Sequence, residues 1–374
     1  MHNITDLENV PSPSLLLVPE LIDRNISQML ALVDGRPELL RPHVKTHKLG
    51  EILKRQIEHG IDKVKCATLA EMEMSAKAGV AEALLAYQPV GPNIKRILQL
   101  RRSYPGTQFA AVADNLTIAS AISAEVARAS ESPFILFIDL DSGMHRTGIS
   151  PGTESLDLIK MINEDPHLRF GGIHAYDGHI HQQNLEERKG AFEESLAAIH
   201  AFAASVQDAG IEIPLIVAGG SPTFEMHTKV ARESPIPWEC SPGTTLLWDA
   251  GYSENHPDLP FTPAAGLLTR VISKPQAGHL CLDLGHKSVA GENPITHRVR
   301  LDAIPDAIFV GQSEEHLVIA TEKADEWNVG DTLIGIPWHI CPSLALHREA
   351  HLIENDRPSG EVWTIHARDR QITV

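Results

Sequence analysis

Short apolar runs alternate with amphipathic stretches along the first two-thirds of the chain. The runs Ser14–Val18, Leu40–Val44, Lys63–Ala67, Ala83–Tyr87, Phe109–Ala113, Phe134–Asp139, Phe170–Ala175, Pro214–Ala218 and Thr244–Trp248 each have the length and composition of a buried strand. Between them Ile52–His59, Leu69–Ala78 and Arg188–Asp208 carry apolar residues three and four positions apart, which predicts helices. Strand alternating with helix predicts a parallel sheet. About eight such units in ~230 residues predict a closed (β/α)8 TIM barrel over residues 20–250. From about Thr262 the rhythm shortens to Leu267–Ile272, His279–Leu284, Ala307–Val310, Leu317–Ala320, Thr332–Ile336 and Val362–Ala367, joined by Gly, Pro, Asn and Asp turns. This predicts a C-terminal all-β domain over residues 251–374, and residues 1–19 can pair with either domain.

Charge narrows the range of partners. The chain has 49 acidic and 32 basic side chains, a net charge of −17, and no long basic run, so neither nucleic acid nor an anionic membrane is expected as a partner. No apolar stretch reaches the ~20 residues of a membrane span, and the first residues lack a secretory pattern; a soluble, cytoplasmic protein is expected. The four cysteines are scattered, which argues against a disulfide framework and leaves a ligand role for any special one.

Several segments concentrate chemistry. In Arg41-Pro42-His43-Val44-Lys45-Thr46-His47-Lys48 a lysine follows an apolar run among other cations. Neighbouring charge and burial favour the neutral amine that condenses with carbonyls, so Lys45 is a candidate to hold an aldehyde cofactor; a surface patch for any anion is the alternative. Asp139–Gly148 follows the strand Phe134–Ile138 and puts Arg146 at the barrel rim, where a guanidinium would hold a phenolate oxygen, or would instead pair with Asp139 or Asp141. Gly172–His181 packs Tyr176, His179 and His181 after the next strand, a density suited to stacking against a ring or to proton transfer. If that segment is extended, His179 and His181 share a side, and the residues leave open which is the acid/base. The turns Gly219-Gly220-Ser221 and Gly243-Thr244 follow late strands, where backbone N–H groups and hydroxyls would cradle a phosphate. In Pro337–Pro342 an extended reading puts His339 and Cys341 on one face, a nitrogen and sulfur pair that suits zinc with positions left open.

Taken in order, these segments resemble the pyridoxal-phosphate enzymes of alanine-racemase-like fold that comprise the D-threonine aldolases and D-serine dehydratases. The resemblance runs through Pro11–Pro13, Arg41–Lys48, Lys65–Thr68 with Glu71, Asp141–Gly148, Tyr176 with Gly178, Gly219–Thr223, Ser241–Thr244, Asp283–Ser288, Ser313–His316 and His339–Pro342. It implies pyridoxal 5'-phosphate on Lys45, with Arg146 at its phenolic oxygen, Tyr176 beside it, and the two late turns at its phosphate. It also implies a divalent metal on His339 and Cys341, zinc first, with manganese or magnesium as alternatives, and a homodimer acting on a small D-amino acid. The implied reaction is cleavage of D-threonine to glycine and acetaldehyde, or dehydration of D-serine, since the His-x-Cys pair is similar to the zinc site of the dehydratases. A carrier of the cofactor and a racemase are further alternatives; the first has no use for a metal, and the second needs another acid/base opposite Lys45.

Overall fold

The computed structural model describes residues 4–374 and consists of two compact units. The first comprises Met29–Lys45, Gly50–Gly243 and Asp369–Val374; the second comprises the residues up to Gln28, Thr46–Leu49 and Thr244–Arg368. Strand β1 (Ser14–Leu17) belongs to the second unit. The first contains β2 (Lys63–Cys66), β3 (Glu82–Leu85), β4 (Gln108–Ala113), β5 (Phe134–Leu140), β6 (Leu168–Ala175), β7 (Ile216–Ala218) and β8 (Trp238–Cys240), paired in that order and all parallel.

The two ends of this sheet meet through a short eighth segment. Leu40 bridges to Cys240 and His43 to Lys65, both parallel. Arg41 N–H donates to the Cys240 carbonyl at 2.8 Å, His43 N–H to that of Pro42's counterpart Pro242 at 2.8 Å, and Lys65 N–H to the Pro42 carbonyl at 2.9 Å. Leu40–His43 thus closes the barrel with isolated bridges, because Pro42 has no N–H to give a regular ladder. The expected barrel is present, with two corrections to its strands: Leu40–Val44 forms only isolated bridges and runs into a 3-10 turn at Val44–Thr46, and the eighth strand is displaced. Thr244–Trp248 is not a strand: it opens as a 3-10 turn over Thr244–Leu246, and β8 lies earlier, at Trp238–Cys240. Leu246, Leu247 and Trp248 are buried, so their apolarity reports burial rather than extension.

Helices connect the strands, and their starts follow ordinary capping chemistry. Thr68, Asn115 and Asn184 accept backbone N–H bonds ahead of Leu69–Ala78, Leu116–Ala129 and Leu185–Asp208. Alternate residues of β3, β4, β5 and β7 form one buried cluster of Leu84, Ala110, Val112, Ile135, Phe137 and Val217. Gly171 makes room for it, since a Cβ there would lie 2.6 Å from both Ile135 and Phe137. On the neighbouring strands the same alternation carries charge. Arg41 Nε donates to Glu239 at 2.5 Å and Nη2 to Glu82 at 2.6 Å, while Lys63 also pairs with Glu239. Arg41 is 2 % exposed and Glu239 5 %, so each ion depends on the other for solvation.

The second unit is mostly strand. Its sheet runs β12 (Ile308–Gln312), β13 (Leu317–Ala320), β10 (His279–Leu282), β9 (Ala265–Ser273), β1, β15 (Glu349–Glu354) and β16 (Arg357–Thr364), with β14 (Thr332–Pro337) pairing with β9 and with β11 (Val299–Arg300). β1 lies inside this sheet, antiparallel to β9 and parallel to β15, which settles the place of the N-terminal segment. Leu15, Leu16 and Leu17 are completely buried there. Among the described residues no helix is long and apolar enough to cross a membrane.

Two stability predictions follow from these buried groups. Arg41→Met strips Glu239 and Glu82 of their shared guanidinium and should cost about 3 kcal/mol in denaturant unfolding; a variant as stable as the parent would show the network to be neutral. His47 is fully buried, and burial, then the charge of Lys48, push its imidazole down to about 3. The unfolded chain takes up this proton below about pH 6.5 whereas the folded chain does not, so stability falls as pH drops from there toward 3. The stability gap between the parent and His47→Asn should therefore narrow by up to ~1.4 kcal/mol per pH unit between pH 6 and 4; a constant gap would contradict this.

Candidate active site

A cavity of about 250 Å3 in the first unit is lined by His43, Lys45 and Lys65 on one side and by Asp139, Asp141, Arg146, His174 and Tyr176 on the other. These residues come from the C-terminal ends of neighbouring strands and the loops beyond, where a parallel barrel collects its chemistry. Three of the expected residues, Lys45, Arg146 and Tyr176, are brought together here. The Lys45 ammonium lies 5.7 Å and the Arg146 guanidinium 5.3 Å from the centre of the Tyr176 ring. Tyr176 owes its place to Gly178: a Cβ at that position would sit 2.4 Å from the tyrosine ring.

The loop that carries Arg146 is held by its own backbone. Asp141 accepts N–H bonds from Gly143 at 3.1 Å and His145 at 3.0 Å, and its other oxygen meets His145 Nδ1 at 2.8 Å. Gly148 takes φ +98°, and a Cβ there would lie 2.7 Å from the Asp141 nitrogen. The two aspartates weighed as partners for Arg146 are thus committed elsewhere, Asp141 to His145 and Asp139 to His174.

His179 and His181 do not line this cavity. The chain turns at Gly178-His179 rather than continuing extended, so the two histidines do not share a face; His179 is half-buried against Gly143 and His181 is exposed. His43 lines the cavity, and the histidine of the Gly172–His181 segment that also lines it is His174, on β6. Its Nδ1 meets Asp139 Oδ1 at 2.7 Å and its Nε2 meets Lys65 Nζ at 3.3 Å. Burial, then the Lys65 charge, hold this imidazole below its ordinary value. Lys65 is 1 % exposed; burial, then the charge of Lys45, push its amine down to about 7. Asp139, His174 and Lys65 were not selected from the sequence, although Lys63-Val64-Lys65-Cys66 carries a signal. A strand buried on both faces reads as continuous apolar residues, and lysines at alternate positions break that rule toward one face.

The late turns are built as expected of tight glycine turns. Gly219 takes φ +88°, and a Cβ there would lie 2.3 Å from the His227 ring, which is itself bound to Asp177 Oδ2 at 2.8 Å. Gly220 has room for a Cβ only 3.3 Å from the Tyr176 ring, which ties this turn to the cavity's aromatic wall. Gly243 N–H donates to Ser221 Oγ at 3.2 Å, so the loops after β7 and β8 come together. Thr244, the next residue, opens the 3-10 turn.

In the second unit β14 ends at Pro337, and His339 is the N-cap of the helix Ile340–Leu346. Cys341 is therefore helical, and the extended geometry expected for the pair is wrong. The side chains nevertheless meet, because a residue at the cap and one in the first turn lie close together. Burial lowers the His339 imidazole, but the Cys341 sulfur, Asp249 and Glu292 outweigh it and push it up to about 9. Glu292 Oε1 holds His339 Nδ1 at 2.9 Å, and Asp249 accepts the Ile340 N–H at 3.0 Å. Thr46 and Thr244 hydroxyls lie 3.2 and 3.8 Å from the Cys341 sulfur. Among the described residues no three or more histidine, cysteine and carboxylate side chains are grouped as a metal site.

Comparison with known proteins agrees with this architecture. Residues 19–246 match the family model "Alanine racemase, N-terminal domain", and residues 264–353 match a serine dehydratase domain. A D-threonine aldolase from Arthrobacter sp is 28% identical over 367 residues, covering 97% of this chain and 94% of that protein. A D-threo-3-hydroxyaspartate dehydratase from Delftia sp. (strain HT23) is 28% identical over 359 residues, covering 90% and 92%. The crystal structure of D-threonine aldolase from Filomicrobium marinum superposes with a TM-score of 0.89 at 24% identity, covering 98% of this chain and 97% of that one. A barrel joined in one chain to a mostly-strand unit thus has counterparts over nearly the whole chain, and the chain belongs to the alanine-racemase-fold family that includes the D-threonine aldolases and D-serine dehydratases, which are lyases.

Proposed function

We propose that this protein is a D-threonine aldolase that uses pyridoxal phosphate and a divalent ion, zinc in the first place. The observation that carries the reading is the meeting of Lys45, Arg146 and Tyr176 around one cavity, although they come from separate segments of the chain. The cavity's chemistry fits the cofactor: an amine for its aldehyde, a guanidinium for its phenolate and an aromatic face for its ring. His339 and Cys341 fit zinc by donor type, and the carboxylate of Glu292 on the far imidazole nitrogen is the usual way of orienting such a ligand.

When bound, pyridoxal phosphate supplies an electron sink for Cα of an amino acid, and a divalent ion supplies a Lewis acid for a β-hydroxyl. The chain's residues do the rest. Lys45 would hold the cofactor's aldehyde carbon and is placed to serve as a base at Cα of the substrate. Arg146 keeps the phenolic oxygen ionised. The adjoining loops after β7 and β8, with the Ser221 hydroxyl, would hold the phosphate, and Tyr176 would set the ring plane. His339 and Cys341 fix the ion.

Dehydration of a D-β-hydroxy amino acid is the second reading, supported by the His-x-Cys pair and by the Delftia relative. Incubation of the cofactor- and zinc-loaded protein with D-threonine separates the two: glycine with acetaldehyde is expected, and 2-oxobutanoate with ammonia would make the protein a dehydratase. Lys45→Ala should lose the visible absorbance of bound cofactor after dialysis; an unchanged spectrum would remove Lys45 from the site. Gly178→Ala, which drives a methyl into the Tyr176 ring, should weaken cofactor retention about tenfold. Cys341→Ala should release most of the metal while the cofactor band persists, and full metal content would refute the ligand pair.

A further inference from the structure

Behind the aromatic wall of the cavity the barrel unit buries a carboxylate and an imidazole that the proposed chemistry does not use. Asp177 stands next to Tyr176, just beyond the end of β6, and His227 lies in the first turn of the helix Phe224–Glu233. Each is 2 % exposed, and Asp177 Oδ2 lies 2.8 Å from His227 Nε2. Tyr176 lines the cavity; the pair does not. The imidazole is packed in place, with the Phe192 ring edge-on at 4.9 Å and the Trp238 ring stacked at 5.8 Å.

Between the two residues lies the turn after β7. A Cβ on Gly219 would stand 2.3 Å from the His227 ring, and one on Gly220 would stand 3.3 Å from the Tyr176 ring and 3.6 Å from Asp177 Oδ1. The turn's own bonds are long: Gly219 N–H donates to the Ala175 carbonyl at 3.2 Å, and Gly220 N–H to Thr223 Oγ1 at 3.4 Å. Two glycines in succession have the most backbone freedom to lose, so a turn held this lightly needs an anchor outside itself. The helix supplies one. His227 N–H donates to the Thr223 carbonyl at 3.0 Å, which links the imidazole to the last residue of the turn. Burial alone would raise the Asp177 carboxyl, but His227 and the Thr223 side chain outweigh it and keep it an ionised acceptor.

We propose that Asp177 and His227 are positioning residues that hold the Gly219–Thr223 turn against Tyr176, and so set the Ser221 hydroxyl where the phosphate of pyridoxal phosphate is received. The proposal rests on the cofactor reading above. The bond runs from the neighbour of the ring's wall to the helix that follows the turn, so the ring face and the phosphate turn keep one spacing. A ligand whose ring and phosphate are joined by a fixed length of chain demands that spacing, and a turn already in place costs no ordering when the ligand arrives. Without the imidazole donor the helix start parts from Asp177 and the phosphate loses its partner. Tyr176 and Lys45, on other segments of the barrel, still receive the ring and the aldehyde.

The test compares pyridoxal phosphate with pyridoxal, which has the ring and aldehyde but no phosphate. The full chain is stripped of cofactor with hydroxylamine, and Kd for each ligand is read from growth of the visible band. His227→Phe keeps a ring between Phe192 and Trp238 but donates nothing; it should weaken pyridoxal phosphate about tenfold and leave pyridoxal unchanged. His227→Gln, whose amide N–H reaches as far as Nε2, should restore the parent's preference. Equal weakening of both ligands in His227→Phe would reduce the pair to a general support of the fold and overturns the proposal, as does an unchanged preference or a glutamine that fails to rescue. If His227→Phe does not fold, Asp177→Ala, which removes the acceptor, takes its place under the same criteria. Should neither fold, hydrogen exchange in the stripped parent decides. Slow exchange across Gly219–Thr223 before any ligand is added is expected, and exchange that slows only on adding pyridoxal phosphate is fatal. A parent that gains no band with either ligand overturns the cofactor reading itself, whereas a normal band with an unaltered preference overturns the positioning alone.

Discussion

Closure of the parallel sheet through Leu40–His43 is the constraint on which the first unit depends. β2 and β8 would otherwise be open edges, and only four residues join them, three backbone bonds carrying the seam. Because Pro42 and Pro242 each withhold a donor there, the seam is built from bonds on either side of them. The same closure fixes the start of the chemistry. Two residues beyond the seam the chain leaves the barrel wall at Lys45, and its neighbours across the seam are Lys65 and the residues after Cys240.

A closed barrel turns every second residue into its own interior, and here that interior is not uniformly apolar. A central cluster from Leu84 to Val217 is flanked by two ionic layers. Toward the N-terminal ends of the strands Arg41, Lys63, Glu82 and Glu239 neutralise one another. Toward the C-terminal ends the positive groups outnumber the available acids, because Asp139, Asp141 and Asp177 are each taken by a histidine. The first layer is compensated and reads as structure. The second is left short of negative charge, the condition in which a lysine gives up its proton and an anionic ligand is welcome.

The second unit solves a different problem, holding a nitrogen and a sulfur donor at a fixed spacing. A strand would do it by alternation; the protein does it with a helix N-terminus. Asp249 pins the Ile340 N–H while Glu292 grips the far side of the His339 ring, so the cap residue and the first-turn cysteine face each other. Its strand β1 comes from the N-terminal part of the chain and lies between β9 and β15, so this sheet joins segments far apart in the sequence.

The sequence by itself determined the alternation of strand and helix, the change of rhythm near Thr262, and the residue types at Lys45, Arg146, Tyr176 and the glycine turns, because periodicity and backbone sterics are local properties. It misplaced β8, since Leu246–Trp248 are apolar for burial and not for extension, and it gave His339 and Cys341 a strand's geometry in place of a helix cap's. It picked His179 and His181 over His174, because histidine density is visible in a string whereas the inward phase of a strand is not. Only the tertiary structure decided that Asp139, His174 and Lys65, from three different strands, share one cavity with Lys45. Their coupling depends on the curvature of a closed sheet, which no segment of the chain encodes alone.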